Sequence, residues 1–292
     1  MTRLLLAVLL LTVTVGASGQ QKKKGSFNNR TKAEKNKFLD KQWWLGFKAG
    51  ANLSDAIPEK RYTIVTPTNF NASATDKTYK AYSMTGAQVT LEVTFFFKNF
   101  SISTQPTYRH SRFSYFNQFN WTNTENAAER LELRFDQEQQ IDYVDFPLLA
   151  KYEIDIASNE FTPFVYGGAF YSLLIDANKS VVESGTDYAS GGTNAFKNEA
   201  VIVGAKDLFQ NYWGLMAGAG LNYNLGNVRL VLDIAYRHGM SNIANPKTRF
   251  SNDRLSGIGD AQDDLLLRNI TFSAGCLFPL RFLSSDFRSV DK

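Results

Sequence analysis

Few residues of this sequence are of a type and spacing that could perform catalysis. Its two histidines are His110 and His238, with Ser111 next to the first and Asp233 five residues before the second. A His–Ser or His–Asp pair would supply the base and nucleophile of a hydrolase. Neither spacing is a signature, however, and the sequence contains no zinc-ligand spacing, phosphate-binding loop or nucleophile elbow. We therefore interpret both histidines as ordinary residues at strand ends, and we predict no catalytic residue.

Metal and redox chemistry are also weakly indicated. Asp260, Asp263 and Asp264 carry the oxygen ligands that calcium prefers, but a solvated acidic loop is the preferred interpretation. The single cysteine, Cys276, permits no disulfide within the chain; we predict that it faces lipid and is inert. The sequence therefore predicts no cofactor and no metal site.

The clearest structural pattern lies in residues 210–238, which alternate apolar and polar residues on both sides of Gly226-Asn227. Such a dipeptide favours the two-residue turn of a β-hairpin. Its flanking residues, Leu225 and Val228, point to the same side, so the apolar faces of the two arms coincide. The polar face of the second arm carries Arg229, Asp233 and Arg237. An amphipathic ribbon of this length is typical of the wall of a membrane barrel.

The same alternation predicts strands over residues 43–53, 81–97, 100–109, 141–156, 161–175, 210–225, 228–238 and 265–282. Short turns follow the second, fourth and sixth strands, at 98–99, 157–160 and 226–227. Long polar loops (54–80, 110–140, 176–209 and 239–264) follow the others. Pro106 removes a hydrogen-bond donor from the third strand, so a bulge is expected there.

This rhythm predicts an all-β protein: an eight-stranded antiparallel up-and-down transmembrane β-barrel with long extracellular loops and short periplasmic turns. A soluble lipocalin-like barrel is disfavoured, because its apolar face points inward. If the apolar faces contact lipid, the charged residues of the strands must face the lumen, where both signs can pair. These predicted lumen-facing residues are Lys48, Glu92, Arg109, Lys151, Glu153, Arg229, Asp233 and Arg237.

The ends of the chain differ from this barrel, which is predicted over residues 42–282. Residues 1–19 predict a secretory signal peptide with Arg3 at its start, an apolar core over 4–15 and a small-residue cleavage site before Gln20. That core is shorter than the roughly 20 residues of a spanning helix. Residues 20–41 are predicted to be a flexible polar periplasmic leader, and 283–292 a C-terminal tail. The net charge of +4 does not indicate a nucleic-acid partner.

Five stretches carry a family resemblance: 44–52 (WLGFKAGAN), 144–152 (VDFPLLAKY), 163–168 (PFVYGG), 214–221 (GLMAGAGL) and 237–243 (RHGMSNI). Together they resemble the PorT-like outer-membrane β-barrel family of Bacteroidetes-type bacteria. The resemblance implies an outer-membrane barrel of a Gram-negative bacterium and, from the founding members, an accessory role in type IX protein secretion. It provides no catalytic residues. The loops are longer here than in those members, and the tail extends beyond the last strand.

The sequence therefore predicts a non-enzymatic outer-membrane scaffold or interaction protein. Its expected partners are outer-membrane lipid and other envelope or secretion-system proteins, with no nucleic acid. One alternative is a narrow channel or porin for small solutes. A second alternative is a surface hydrolase or lipid-modifying barrel enzyme that uses the histidines.

Overall fold

The computed structural model describes residues 41–62, 77–154, 160–188, 192–225, 228–251, 255 and 260–280. The predicted signal peptide, most of the leader, the tail and the turn residues 157–159 and 226–227 lie outside these ranges. The strands are β1 (Lys41–Lys60), β2 (Thr78–Lys80), β3 (Thr85–Phe97), β4 (Phe100–Thr104), β5 (Thr107–Thr122), β6 (Arg130–Glu153), β7 (Phe161–Asp187), β8 (Asn194–Lys197), β9 (Val201–Gly204), β10 (Tyr212–Asn224), β11 (Arg229–Gly239) and β12 (Asp264–Pro279). Among the described residues there is no helix with the length and hydrophobicity that crossing a membrane requires.

The strands form one antiparallel sheet whose first and last members pair with each other. β1 pairs with β3 on one side and with β12 on the other. A circuit around the wall starts at Leu45 of β1 and moves at each step to the residue paired with it on the next strand. It passes through eight strands and returns to β1 at Asp55, ten residues further along. The residues in order are Leu45, Val93, Thr104, Leu148, Ala169, Leu215, His238, Arg268 and Asp55. The displacement shows that the strands are tilted against the barrel axis, as barrel closure requires.

The described residues contain twelve strands rather than the predicted eight. β2, β8 and β9 lie in segments predicted as loops. β2 pairs with β5, whereas β8 and β9 both pair with β7. The predicted strand 100–109 is divided into β4 and β5 at Pro106, which has no N–H to donate.

The bulge expected at Pro106 is not present. Val93 pairs with Thr104 on one side of the break and Thr90 with Thr107 on the other, so the register is unchanged. The Pro106 carbonyl still accepts a hydrogen bond from the Leu91 N–H at 2.9 Å. A register shift occurs instead between β6 and β7, where Asp142 faces Asp176 and Tyr143 faces Leu174. Ile175 is the extra residue.

The side-chain pattern reverses along β5. At Arg109 and below, polar side chains point inward and apolar ones outward. Above Ser111, most inward positions are apolar (Phe113, Tyr115 and Phe119), and Phe135 of β6 joins them. The prediction of a polar loop at 110–140 was therefore wrong over most of its length. β5, β6 and β7 continue past the rest of the wall as an extension, and its inward apolar side chains belong to the same hydrophobic cluster as those of the barrel.

Below this reversal, the exterior of the wall is apolar. Phe47, Leu148 and Leu232 are 58%, 65% and 60% exposed. Their neighbours along the chain, such as Lys48 and Leu149, point inward and are buried. A wall with these side chains outside places its apolar band where a lipid hydrocarbon core would contact it.

Glycines of β10 make room for aromatic rings of β7. Gly214, Gly218 and Gly220 pair with Phe170, Tyr166 and Phe164. A methyl group added to Gly218 would lie 2.5 Å from both the Tyr166 ring and the Ile234 carbonyl oxygen. The glycine-rich stretch predicted as a strand therefore supplies the space that these rings occupy inside the barrel.

Candidate functional site: a polar barrel interior and its cap

The structure places seven of the eight predicted lumen-facing residues in buried positions on the inner face, and Arg229 is partly exposed. They form three groups along the barrel. The short-turn end of the barrel carries the β3–β4 turn, and the long-loop end carries the segment between β11 and β12.

The first group, the lower ion cluster, consists of Lys48, Glu92, Lys151 and Asp233. The Lys48 ammonium lies 3.0 Å from Glu92 and 2.8 Å from Asp233. Lys151 forms an ion pair with Glu92. These residues stand on β1, β3, β6 and β11, so the cluster crosslinks separated parts of the wall. Two charges of each sign satisfy one another in the low dielectric of the interior.

Polar neighbours complete the lower ion cluster. Gln105 accepts a hydrogen bond from Lys48 at 2.9 Å, and Thr94 donates one to Glu92 at 2.8 Å. The Tyr166 hydroxyl, held over Gly218, donates to Asp233 at 3.3 Å. The glycine–ring packing of β10 and β7 therefore positions a hydroxyl on this cluster.

The second group, the central ion cluster, consists of Arg109, Asp145 and Arg237. The Arg109 guanidinium bonds Asp145 through two nitrogens, at 2.8 and 3.2 Å. Arg237 forms an ion pair with the same carboxylate, and Ser172 donates to it at 2.5 Å. Arg109 also donates to the Tyr212 hydroxyl at 2.6 Å and to Asn269 at 3.1 Å. These contacts join β5, β6, β7, β10, β11 and β12 across the interior.

The third group lies near the short-turn end. Arg229 pairs with Glu153 at 2.9 Å, and Asn222 donates to the same carboxylate at 3.0 Å. The Arg229 guanidinium also stacks over the Trp44 ring, with 4.4 Å to its centroid. A cavity of about 10 Å³ remains between this group and the lower ion cluster. That space is about one water molecule, so the interior is filled at this level.

At the long-loop end, residues 260–263 reach Lys179 of β7. The segments 205–209 and 240–244 are joined by a bridge between Phe209 and Ala244, and the Ile243 N–H donates to the Leu265 carbonyl at 2.9 Å. We call these three segments the cap. Asp260 pairs with Lys179 of β7 at 2.7 Å and with Lys77 at 2.9 Å. Asp263 pairs with Lys77 at 3.2 Å and accepts a hydrogen bond from Tyr79 at 2.8 Å. We call Lys77, Lys179, Asp260 and Asp263 the cap ion cluster. The Tyr115 ring packs against it, with the Lys77 and Lys179 ammonium groups 5.7 and 5.4 Å from the ring centroid.

The cap ion cluster corrects the prediction of a solvated acidic loop, because Asp260 and Asp263 are buried. Burial alone would raise the pKa of the Asp260 carboxyl, but the ammonium groups of Lys179 and Lys77 hold that pKa well below its usual range. Burial, followed by the charge of Asp263, raises the pKa of the Tyr79 phenol well above its usual value. Within the described part of the chain, no three His, Cys, Asp or Glu side chains are grouped so that they could hold a metal ion.

The two histidines lie on the outer face, opposite their suggested partners. Ser111 is buried and accepts a hydrogen bond from Arg109 at 2.5 Å, whereas the His110 ring points outward to Asp142 at 2.6 Å. His238 accepts a hydrogen bond from Arg268 at 3.2 Å. Its side chain is on the opposite face from Asp233, because five residues separate them along one strand. The pairs His110–Ser111 and His238–Asp233 are therefore not brought together.

Among the buried charges that the sequence-based prediction missed are Asp145, Lys179 and Lys77. Asp145 is an even number of positions from Lys151 and an even number from Glu153 on β6, so it points to the same face. If the inward–outward alternation had been extended past Pro147, it would have predicted Asp145 as an inward residue. Lys179 was predicted to lie in a loop. The extra residue at Ile175 also changes which positions of β7 point inward after it. Lys77 lies outside any predicted strand, and no local pattern indicates that it is buried.

A closed antiparallel wall with an apolar exterior and an ion-paired interior defines the class of membrane β-barrels. The match to a known family agrees with that class. The model of the outer membrane protein beta-barrel domain family matches residues 19–245, and the chain belongs to this family. Its location is therefore the outer membrane of a Gram-negative bacterium.

Solved structures of outer-membrane barrels resemble the chain at low identity. Neisserial surface protein A is 15% identical, with a TM-score of 0.33, over 80% of this chain and 96% of that one. The attachment invasion locus protein Ail of Yersinia pestis is 12% identical, with a TM-score of 0.28, over 81% and 99%. The outer membrane protease OmpT from Escherichia coli is 11% identical, with a TM-score of 0.31, over 82% and 97%. A comparison with curated proteins gives no match.

Proposed function

We propose that this protein is a non-conducting, non-enzymatic outer-membrane scaffold whose long-loop end binds other molecules outside the cell. The observation that carries the proposal is the central ion cluster. Arg237 of β11 and Arg109 of β5 both bond Asp145 of β6, so charged side chains cross the interior. A lumen closed by such contacts, and again by the cap, leaves the outer surface as the part available for function.

In this proposal the wall counts as eight-stranded. The circuit from Leu45 to Asp55 supports that count, with β4 and β5 acting as one strand and β2, β8 and β9 lying outside the circuit. Side chains fill the interior of a barrel of this size. The long-loop end faces outward, because short turns of outer-membrane barrels lie on the periplasmic side.

Recordings in a planar lipid bilayer test whether the lumen is closed. We expect no discrete conductance steps from the purified wild-type protein. A triple variant with Arg109, Asp145 and Arg237 replaced by Ala loses the crossing side chains, so steps are expected there if it inserts. A porin in the same bilayer checks the recording, and heat-dependent gel migration checks that the variant is folded. Discrete steps from the wild type would favour the narrow-channel alternative.

The hydrolase alternative is tested at the histidines. We expect the variants His110→Ala and His238→Ala, alone and together, to leave the lipid and protein composition of the cell surface unchanged. Both histidines lie on the outer face and are engaged by Asp142 and Arg268. A change in acylation or proteolysis in either variant would support an enzyme instead.

The resemblance to PorT-like proteins supports a more specific proposal, an accessory role in type IX secretion. Deletion of the gene should then retain substrates of that system in the periplasm, and a copy on a plasmid should restore their export. Normal secretion by the deletion strain would exclude this role. The scaffold proposal does not depend on that result.

A further inference from the structure

The edge of the extension contains a small pocket where the strand beside β7 is interrupted. β8 ends opposite Ser184, and β9 begins opposite Val181. Two residues of β7 therefore face the three residues 198–200 between β8 and β9. An extra residue in an edge strand interrupts the hydrogen bonds to the neighbouring strand and changes the direction of nearby side chains. Such irregularities are frequent at sheet edges and beside active sites.

The break opens a cavity of about 110 Å³. Its floor is apolar and buried, and is formed by Phe135, Val181, Val203 and Leu255. Val201 lies at its mouth and is 52% exposed. A space of this size accepts one branched aliphatic side chain rather than a drug-sized molecule, which needs several hundred Å³. Buried pockets that accept a single anchor side chain are typical of protein interfaces.

Two carboxylates also line the pocket. Glu183 accepts a hydrogen bond from the Asn198 side chain at 2.9 Å, which fixes the position of its carboxylate. Glu199 is exposed and has no ion-pair partner among the described residues. None of the described residues that line the pocket is basic. A ligand that fills the apolar floor therefore meets negative charge at the rim.

We infer that this pocket is a docking site for a polypeptide partner that inserts a Leu-like side chain flanked by Lys or Arg. The inference rests on the proposed scaffold function and names the class of partner. Burial of the apolar anchor supplies affinity, and the carboxylates select for basic neighbours. The exposed Ile202 lies on the opposite face of β9 and is not part of the pocket.

The test is methyl NMR of the full barrel in lipid nanodiscs, titrated with three blocked tripeptides: Lys-Leu-Lys, Glu-Leu-Glu and Lys-Ser-Lys. We expect Lys-Leu-Lys alone to shift the methyl signals of Val181, Val203 and Leu255 in a saturable way. Glu199→Gln should weaken it about two- to fivefold, the range of an exposed ion pair.

A matched pair of variants separates the pocket from the general surface. Val201→Lys places a cation at the mouth and should weaken Lys-Leu-Lys binding about fivefold or more, whereas Ile202→Lys on the other face should not. Both positions are exposed, so both variants should fold. Equal binding of the three peptides, no binding of any, or equal losses in both variants would overturn the inference. None of these results alters the conductance expected under the scaffold proposal.

Discussion

At the scale of single residues, Asp145 holds the central ion cluster together. Its carboxylate accepts from Arg109, Arg237 and Ser172. A carboxylate between two guanidinium groups is stable there because each charge is both paired and hydrogen-bonded. Removal of the negative charge would leave two buried cations facing each other.

We therefore expect Asp145→Asn to lower the free energy of unfolding by about 3–5 kcal/mol, the usual cost of breaking a buried ion pair. The measurement is the urea midpoint of barrels folded into lipid vesicles. Asp176→Asn is the control, because Asp176 is exposed on the outer face and such changes usually stay within about 0.5 kcal/mol.

A second substitution tests whether the unpaired charge is the cause. Arg237→Met in the Asp145→Asn background removes one of the two orphaned cations, so the double variant should recover part of the lost stability. The two effects should be strongly non-additive, as for residues in contact. Additive losses would show that Asp145 acts mainly through packing.

At the scale of elements, the alternation of residues predicted the membrane wall much better than the extension. Strands β10 and β11 lie within one or two residues of their predicted limits, because each has lipid on one side and polar contacts on the other. Phe113, Tyr115 and Phe135 follow the same period with the opposite facing, in segments rich in Asn and Gln. The sequence alone therefore suggests a loop, because the alternation can be recognised only when the inward-facing positions of the extension are known.

The interior site was only partly predictable for a related reason. Alternation indicates which residues point inward, so Lys48, Glu92 and Arg237 could be found. It does not indicate which charges meet, since Lys48 of β1 and Asp233 of β11 are 185 positions apart. The cap ion cluster depends on Lys77 and Asp260 from segments without periodicity, and only the closed fold brings them together.

The packing of β10 against β7 gives a test at this scale. Gly218→Val would place methyl groups against the Tyr166 ring and the Ile234 backbone, so we expect a loss of about 1–3 kcal/mol in unfolding free energy, as for overpacking. Ala217→Val is the matched control, because Ala217 is the adjacent residue and faces outward. Equal urea midpoints for the two variants would contradict this role of Gly218.

The cap should open in acid. The pKa of Asp260 is lowered in the folded protein, so its ionised form contributes stability above the unfolded-state pKa of about 3.9. That contribution is lost as the pH falls through the lowered folded-state pKa. We expect pepsin to cut the 260–263 segment increasingly as the pH falls below about 4.

Asp260→Asn provides the control for this acid response. The amide has no charge to lose, so cleavage of the variant should be fast across the whole acidic range and nearly independent of pH. Cleavage of the wild type that does not change with pH would contradict the role assigned to the Asp260 carboxylate.

At the scale of the whole molecule, the exposed apolar band determines that the folded protein must be surrounded by lipid or detergent. Phe47, Ile102, Leu148 and Leu232 are all more than half exposed, and soluble monomers rarely expose large contiguous apolar surfaces. We expect protein made without residues 1–19 to aggregate in buffer and to fold only in detergent or lipid. A soluble monomer without detergent would contradict the membrane assignment. Analytical ultracentrifugation distinguishes the two outcomes.

The length of β6 sets the height of the pocket above the bilayer. Val181 at the pocket pairs with Gln137, which lies 16 residues along β6 from Glu153 at the opposite end. At ~3.3 Å per residue and a tilt of ~40°, this distance is roughly 40 Å along the barrel axis, compared with an apolar band of about 25 Å. If the long-loop end faces outward, as proposed, the pocket lies beyond the apolar band, at the level of the surface glycans. Their chain length would decide which partners reach it, so cells with short surface glycans should expose a contact that long glycans screen.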